Sequence, residues 1–87
     1  MSNNGPWVIQ VSRPAQKALR RVPSERERLL RGINALPAGD VVRLQGGATD
    51  EFRLRVGHWR VRFRVDYTAR LITVVAIAPR GQAYRGL

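Results

Sequence analysis

From Glu51 to Val65, polar and apolar side chains alternate at every position, with one interruption at Gly57-His58. Strand side chains point to opposite faces with period two, so this pattern fits two half-buried antiparallel strands and no helix. Gly57 at the first central position suits a two-residue type II′ turn between them. Val56 then faces Trp59, and the pairing runs back through Arg55 opposite Arg60, Arg53 opposite Arg62 and Glu51 opposite Arg64. One face of this hairpin holds Phe52, Leu54, Val61 and Phe63. The other holds arginines, with Glu51 as the one carboxylate in register.

The rest of the chain must cover the apolar face. Residues 71–78 are apolar at nearly every position and read as an interior strand, after a turn at 66–70 and before Pro79. Matching apolar faces sets Phe63 opposite Thr73 and Arg62 opposite Val74, and continuing the strand brings Arg80 to the arginine side. At the other end, Trp7 to Val11 is rich in β-formers and predicts an opening strand. Ser12 follows as an N-cap with Pro14 in the first turn, and Ala15, Ala18, Leu19 and Val22 mark one helical face. Pro23 ends that helix. Ser24 and Glu27 form a capping-box pattern for a second helix, which turns Leu29, Leu30, Ile33 and Leu36 inward and stops before Pro37. Residues 37–50 read as a loop, with Gly46-Gly47 as a turn signal and Val41, Val42 and Leu44 as anchors.

The order β-α-α-β-β-β predicts an α+β fold, a helical hairpin packed on one face of a small antiparallel sheet. With 87 residues there is room for one domain, expected over 7–87, with 1–6 as a disordered tail.

Composition narrows the function. There is no cysteine, hence no disulfide framework, thiol nucleophile or thiolate metal site, and one histidine with six carboxylates disfavours any metal centre. No apolar run approaches the ~20 residues of a membrane helix, and residues 1–6 make no signal peptide, so the cytoplasm is the expected compartment. Sixteen basic residues against six acidic ones leave a net charge of +10, and Lys17 is the only lysine among them. Such a field calls for a polyanionic partner, either nucleic acid or an acidic protein. The arginine face itself has two readings. It is the solvated side of a basic sheet, or it is a phosphate-binding surface. Like charges directly across strands destabilise by up to ~1 kcal/mol per pair, and a polyphosphate ligand would offset that, because each arginine can donate two hydrogen bonds to a phosphate.

No Ser-His-Asp grouping, paired carboxylates or P-loop is present. Arginines, His58 and two tyrosines are the available chemistry. That set suits RNA cleavage by the adjacent 2′-OH, which needs a proton removed, a phosphorane stabilised and a leaving oxygen protonated. Arginine serves the middle task and is a poor base. His58 at a hairpin tip fits a solvated turn better than a base, Tyr67 fits a turn, and Trp59 fits packing. Tyr84, near Arg80, is open between anchoring the C-terminus and proton transfer.

The opening strand, the Ala-x-x-Ala-Leu helix, Leu44-Gln45-Gly46, the segment Phe52-Arg53-Leu54-Arg55-Val56-Gly57-His58-Trp59-Arg60-Val61 and the closing Ala78-Pro79-Arg80-x-x-x-Tyr84 together resemble the RelE/ParE toxin superfamily. Within it the chain looks most like a RelE-type toxin, over about residues 7–84. That resemblance implies a RelE-like, microbial-RNase-like fold and the toxin of a type II toxin–antitoxin system. Toxins of this type are ribosome-dependent endoribonucleases that cut mRNA in the A site, leaving a 2′,3′-cyclic phosphate and a 5′-OH.

The resemblance carries roles to single residues. Arg53 and Arg55 take the places of two basic strand residues, one of them credited with helping proton removal. Arg60 matches the arginine that stabilises the transition state, Arg80 the one that serves the leaving oxygen, and Tyr84 the tyrosine stacked near the scissile site. Arg62, Arg64, His58, Lys17, Arg20 and Arg21 are expected to contact RNA or the ribosome. No cofactor, metal or membrane is implied. The implied partners are the ribosome with its mRNA and a RelB-like antitoxin with an acidic or amphipathic segment, in a hetero-oligomer. Two departures stand out: arginine at both 53 and 55 where lysines are common, and His58 before the aromatic. ParE-type members share the fold and poison DNA gyrase without cutting RNA, which is the alternative function.

Overall fold

A computed structural model describes residues 7–44 and 51–80. The elements run β1 (Val8–Val11), α1 (Arg13–Arg21), α2 (Pro23–Asn34), β2 (Val41–Arg43), β3 (Glu51–Val56), β4 (Trp59–Asp66) and β5 (Leu71–Pro79). The strands form one five-stranded sheet in the order β1-β5-β4-β3-β2. Helix α1 packs on β5 and α2 on β3, so both helices cover the same face.

The hairpin register is as the alternation requires, from Val56 opposite Trp59 to Glu51 opposite Arg64. Gly57 has φ +58°, and among the described residues Arg70 is the non-glycine with positive φ, which is the pattern of a type II′ turn. The α+β architecture is the expected one, and Ser12 caps α1 by accepting from the Ala15 amide at 3.4 Å. The same hydroxyl donates to the Val75 carbonyl at 3.2 Å, tying the start of α1 to β5.

Four details differ from the sequence reading. Helix α2 begins at Pro23, with Val22 as its cap residue and no side-chain cap, so Ser24 sits inside the first turn. Proline at the first helical position loses nothing, since that N–H has no intrahelical partner. Residues 41–43 are a strand, not loop: β2 pairs antiparallel with β3, Val41 opposite Leu54. Three residues are too few to show a period. The β4–β5 register differs twice: Phe63 lies opposite Val74, one residue on from Thr73, and a bulge between Arg62 and Phe63 adds a further residue, so that Arg62 lies opposite Ala76. Finally, β1 pairs parallel with β5, which makes the sheet mixed. Nothing in a single strand's pattern encodes the direction of its neighbour.

The core lies between helices and sheet. Ala15 and Leu19 of α1, Leu29 and Ile33 of α2, and Leu54, Val61, Phe63, Ile72, Val74 and Ile77 of the sheet are all buried. Phe52 stacks on Phe63 across the hairpin with centroids 5.5 Å apart. Gly32 lets α2 approach β3 closely, since a Cβ there would meet the Val56 side chain at 3.0 Å. Trp59 packs against this core and Tyr67 lies in the exposed turn after β4, as expected of each. No described helix covers the opposite face of the sheet.

Candidate functional site

That open face carries the arginines. In a two-residue hairpin the closing pair, Val56 and Trp59, is hydrogen-bonded, and the pair types alternate from there. Arg55–Arg60 and Arg53–Arg62 therefore both fall at the non-hydrogen-bonded positions, where side chains are nearest, with Cβ atoms about 4.5–5.5 Å apart. On the other flank Arg60 and Arg62 face Ala78 and Ala76 of β5. These small residues leave a low floor for the long arginine stems. The same floor explains why β5 is apolar along both faces although only one is covered by helices.

Each of these cations is held. Arg60 is the buried charged residue among those described, 8% exposed. Its Nη1 donates to the carbonyls of Gly57 and Trp59, both at 3.0 Å. Arg55 Nε donates to Asp40 Oδ2 at 2.7 Å. The Arg55 backbone amide also donates to the Asp40 carbonyl, at 2.9 Å. Glu51 Oε2 lies 3.5 Å from both Arg62 Nη2 and Arg64 Nε. The Nε atoms of Arg53 and Arg62 are shut off from solvent. Held in this way, the guanidiniums form a preorganised array of donors for phosphate oxygens.

The Gly57-His58 tip organises one end of the array. The Arg80 amide donates to the His58 carbonyl at 2.7 Å, which brings Arg80 beside the end that holds Arg60. From the helix side, a Cβ on Gly57 would lie 2.5 Å from Arg28 Nη2, so this guanidinium packs directly on the turn. Arg28 is in turn 3.6 Å from Glu25 on the preceding turn of α2. Two arginines thus grip the tip from opposite layers. His58 is exposed.

The structure therefore brings together Arg53, Arg55, Arg60, Arg62 and Arg64 on one face, with His58 and Arg80 at its tip. Lys17, Arg20 and Arg21 are on α1, in the other layer, and do not join them. Tyr84 and Gly46-Gly47 lie outside the described residues. Asp40 and Arg28 are the residues that sequence reasoning missed. Asp40 was hidden by the loop reading of 37–50. Had Val41-Val42-Arg43 been recognised as an edge strand beside β3, Asp40 would have fallen next to Arg55. Among the described residues no three of Asp, Glu and His come together as metal ligands, and no helix is long and apolar enough to cross a membrane.

The family model of the ParE toxin of type II toxin–antitoxin system, parDE, matches residues 9–84. The chain belongs to this family. It is a type II toxin of the RelE/ParE superfamily, as the arginine hairpin and the closing Ala-Pro-Arg indicated. No curated protein matches it significantly. Among solved structures it is similar to the toxin in the archaeal RelE–RelB complex from Pyrococcus horikoshii OT3. That match has 26% identity and a TM-score of 0.74, and covers 90% of this chain and 99% of the other. The toxin–antitoxin complex RelBE2 of Mycobacterium tuberculosis shares the fold at 16% identity and a TM-score of 0.74, over 86% of this chain and 92% of that one. A metal-bound toxin from Helicobacter pylori shares it at 13% identity and a TM-score of 0.73, over 90% and 99%. Two of these three were solved with RelB-type antitoxins or as a toxin–antitoxin complex.

Proposed function

We propose that this toxin cuts translated mRNA on the ribosome, with the arginine face as its catalytic surface. The observation that carries this reading is Arg60. A guanidinium that is buried, fixed by two carbonyls of its own hairpin and set directly opposite Arg55 is suited to one point of negative charge. In the reaction, the 2′-OH loses its proton and attacks the adjacent phosphorus. The bond to the 5′-oxygen then breaks, and that oxygen takes up a proton. Arg60 would stabilise the pentavalent phosphorane, where a fixed donor acts most strongly because it needs no reorganisation. Arg53 and Arg55 would hold the phosphate and favour the 2′-alkoxide, Arg80 would serve the leaving oxygen, and Tyr84 would stack beside the scissile site. Arg62, Arg64 and His58 would bind the flanking RNA. The products would be a 2′,3′-cyclic phosphate and a 5′-OH, with no cofactor. With so few groups able to accept a proton, much of the alignment would have to come from the ribosome and its bound mRNA.

A RelB-like antitoxin would neutralise the toxin in the cytoplasm by covering the arginine face with an acidic or amphipathic segment.

The match to the ParE family favours a second reading, poisoning of DNA gyrase by binding alone. Two assays on the wild-type chain separate them. Incubation with ribosomes translating a defined mRNA should yield codon-phased cuts that vanish without ribosomes, and incubation with gyrase and plasmid should yield no trapped double-strand breaks. The reverse pair of results would replace the nuclease by the gyrase poison.

A further inference from the structure

RNA cleavage by the adjacent 2′-OH needs a group that takes a proton, and the arginines of the open face are poor bases. The carboxylates among the described residues can be placed one by one. Glu25 and Glu27 lie on α2, in the other layer. Asp66 accepts from the Ala69 amide at 3.0 Å in the turn after β4. Glu51 is shared by two guanidiniums, those of Arg62 and Arg64, and stands four residues along β3 from Arg55, about 13 Å away. Asp40 differs from all of these. Its side chain is 48% exposed and, among the described residues, bonded to one guanidinium, Arg55 Nε at 2.7 Å.

Its place in the sheet is also distinctive. Val41 lies opposite Leu54, and the Arg55 amide donates to the Asp40 carbonyl, so Asp40 faces Arg55 across the strands. Arg55 faces Arg60, and Arg60 faces Ala78. One row across the open face therefore runs Asp40, Arg55, Arg60, Ala78. Arg80 follows two residues after Ala78, tied by its amide to the His58 carbonyl. Asp40 and Arg80 thus flank the Arg55–Arg60 pair from opposite sides, with backbones about three strand spacings, ~14 Å, apart. Displacement at phosphorus proceeds with the attacking and leaving oxygens in line, on opposite sides of the phosphorus.

We propose that Asp40 is the general base, taking the proton of the attacking 2′-OH; this role rests on the nuclease reading. With the scissile phosphate on the Arg55 and Arg60 guanidiniums, the 2′-OH lies toward β2. Its proton passes to the Asp40 carboxylate, and the electron pair freed on the oxygen forms the O2′–P bond. The P–O5′ bond breaks with its pair on the 5′-oxygen, which takes a proton from water beside Arg80. Asp40 then returns its proton to solvent.

The test is single-turnover cleavage of a defined mRNA on ribosomes by four full-length chains, each first shown to fold by a urea melt. These are the wild type, Asp40→Asn, Arg55→Ala and the double variant. Asparagine still offers Arg55 a carbonyl oxygen but takes no proton at neutral pH. Asp40→Asn is expected to lower the rate at least about tenfold, and to do so again in the Arg55→Ala background. A smaller loss in the wild-type background would overturn the role outright. A smaller loss in the Arg55→Ala background would overturn it too, because Asp40 would then act only by holding Arg55. A second substrate carries sulfur in place of the 5′-oxygen at the scissile linkage, a leaving group that needs no proton. The Asp40→Asn loss should persist on it, and its disappearance would move Asp40 to the leaving-group side. Wild-type chain that leaves translated mRNA intact would instead refute the nuclease reading, and the role of Asp40 with it.

Discussion

Arg60 and Lys17 belong to the same strongly basic chain and sit in opposite circumstances. Arg60 is buried, bonded to two carbonyls and set in a sheet whose neighbours fix its position. Lys17 is exposed on a short helix, flanked by Arg13 and Arg20, with no carboxylate near it among the described residues. A held guanidinium acts at one point and is little screened by salt. A free stripe acts over a Debye length, about 8 Å at physiological ionic strength, and weakens as salt rises. Positively charged side chains can therefore supply chemistry on one layer and attraction on the other, and side-chain partners separate the two roles where charge alone does not.

The largest effect expected from breaking this contrast is at Arg60. Arg60→Ala should reduce cleavage of ribosome-bound mRNA by about 10²–10³-fold, the range for removing one fixed transition-state donor. Stability should fall by about 1–3 kcal/mol, since two carbonyls lose their donor. Cleavage kinetics and a urea melt give the two numbers.

Next comes the tip that holds it. Gly57→Ala puts a Cβ on a residue with φ +58° and should destabilise by about 1–2 kcal/mol, because its 2.5 Å neighbour is the exposed tip of Arg28, which can swing away. The Arg28→Ala background should leave that cost unchanged in a urea melt. A much smaller cost in that background would show that Arg28 is held rigidly against the turn.

Asp40→Asn tests whether a partly exposed partner matters. The Asp40–Arg55 pair is about half exposed on both sides, so its loss should change stability by no more than about 1 kcal/mol. Cleavage should fall several-fold more than stability does if Arg55 must be held. The smallest effect on folding is expected for Lys17→Gln with Arg20→Gln, within about 0.5 kcal/mol in the same melt, because nothing in the fold pairs with either side chain.

The hairpin was legible because thirteen residues, six before and seven after a two-residue turn, obey one period and a glycine marks the turn. Its register then placed Arg55 opposite Arg60 without any coordinates. The N-cap at Ser12 and the inward faces of both helices were legible for the same reason, strong local periodicity next to a capping residue. The start of α2 was not, because Pro23 and Ser24 each make a plausible helix start and only backbone geometry separates them. Strand β2 was too short to carry a period, and Asp40 was lost with it. The bulge after Arg62 was invisible, since the apolar run of β5 accepts either register. That Arg60 is buried while Lys17 is free was also beyond the sequence. It depends on Ala78 across β5 and on the two carbonyls of the tip, contacts that form only in the folded sheet.

The proposed cutting of mRNA by a held arginine on the open sheet face is tested most directly by primer extension on an mRNA during translation in a purified system, comparing wild type with Arg60→Ala after a melt has established that both are folded. Codon-phased cuts that need ribosomes are expected from the wild type, and about 1% or less of that cutting from Arg60→Ala. Cuts of wild-type strength from Arg60→Ala would contradict it, as would intact mRNA from a wild-type chain that still arrests growth.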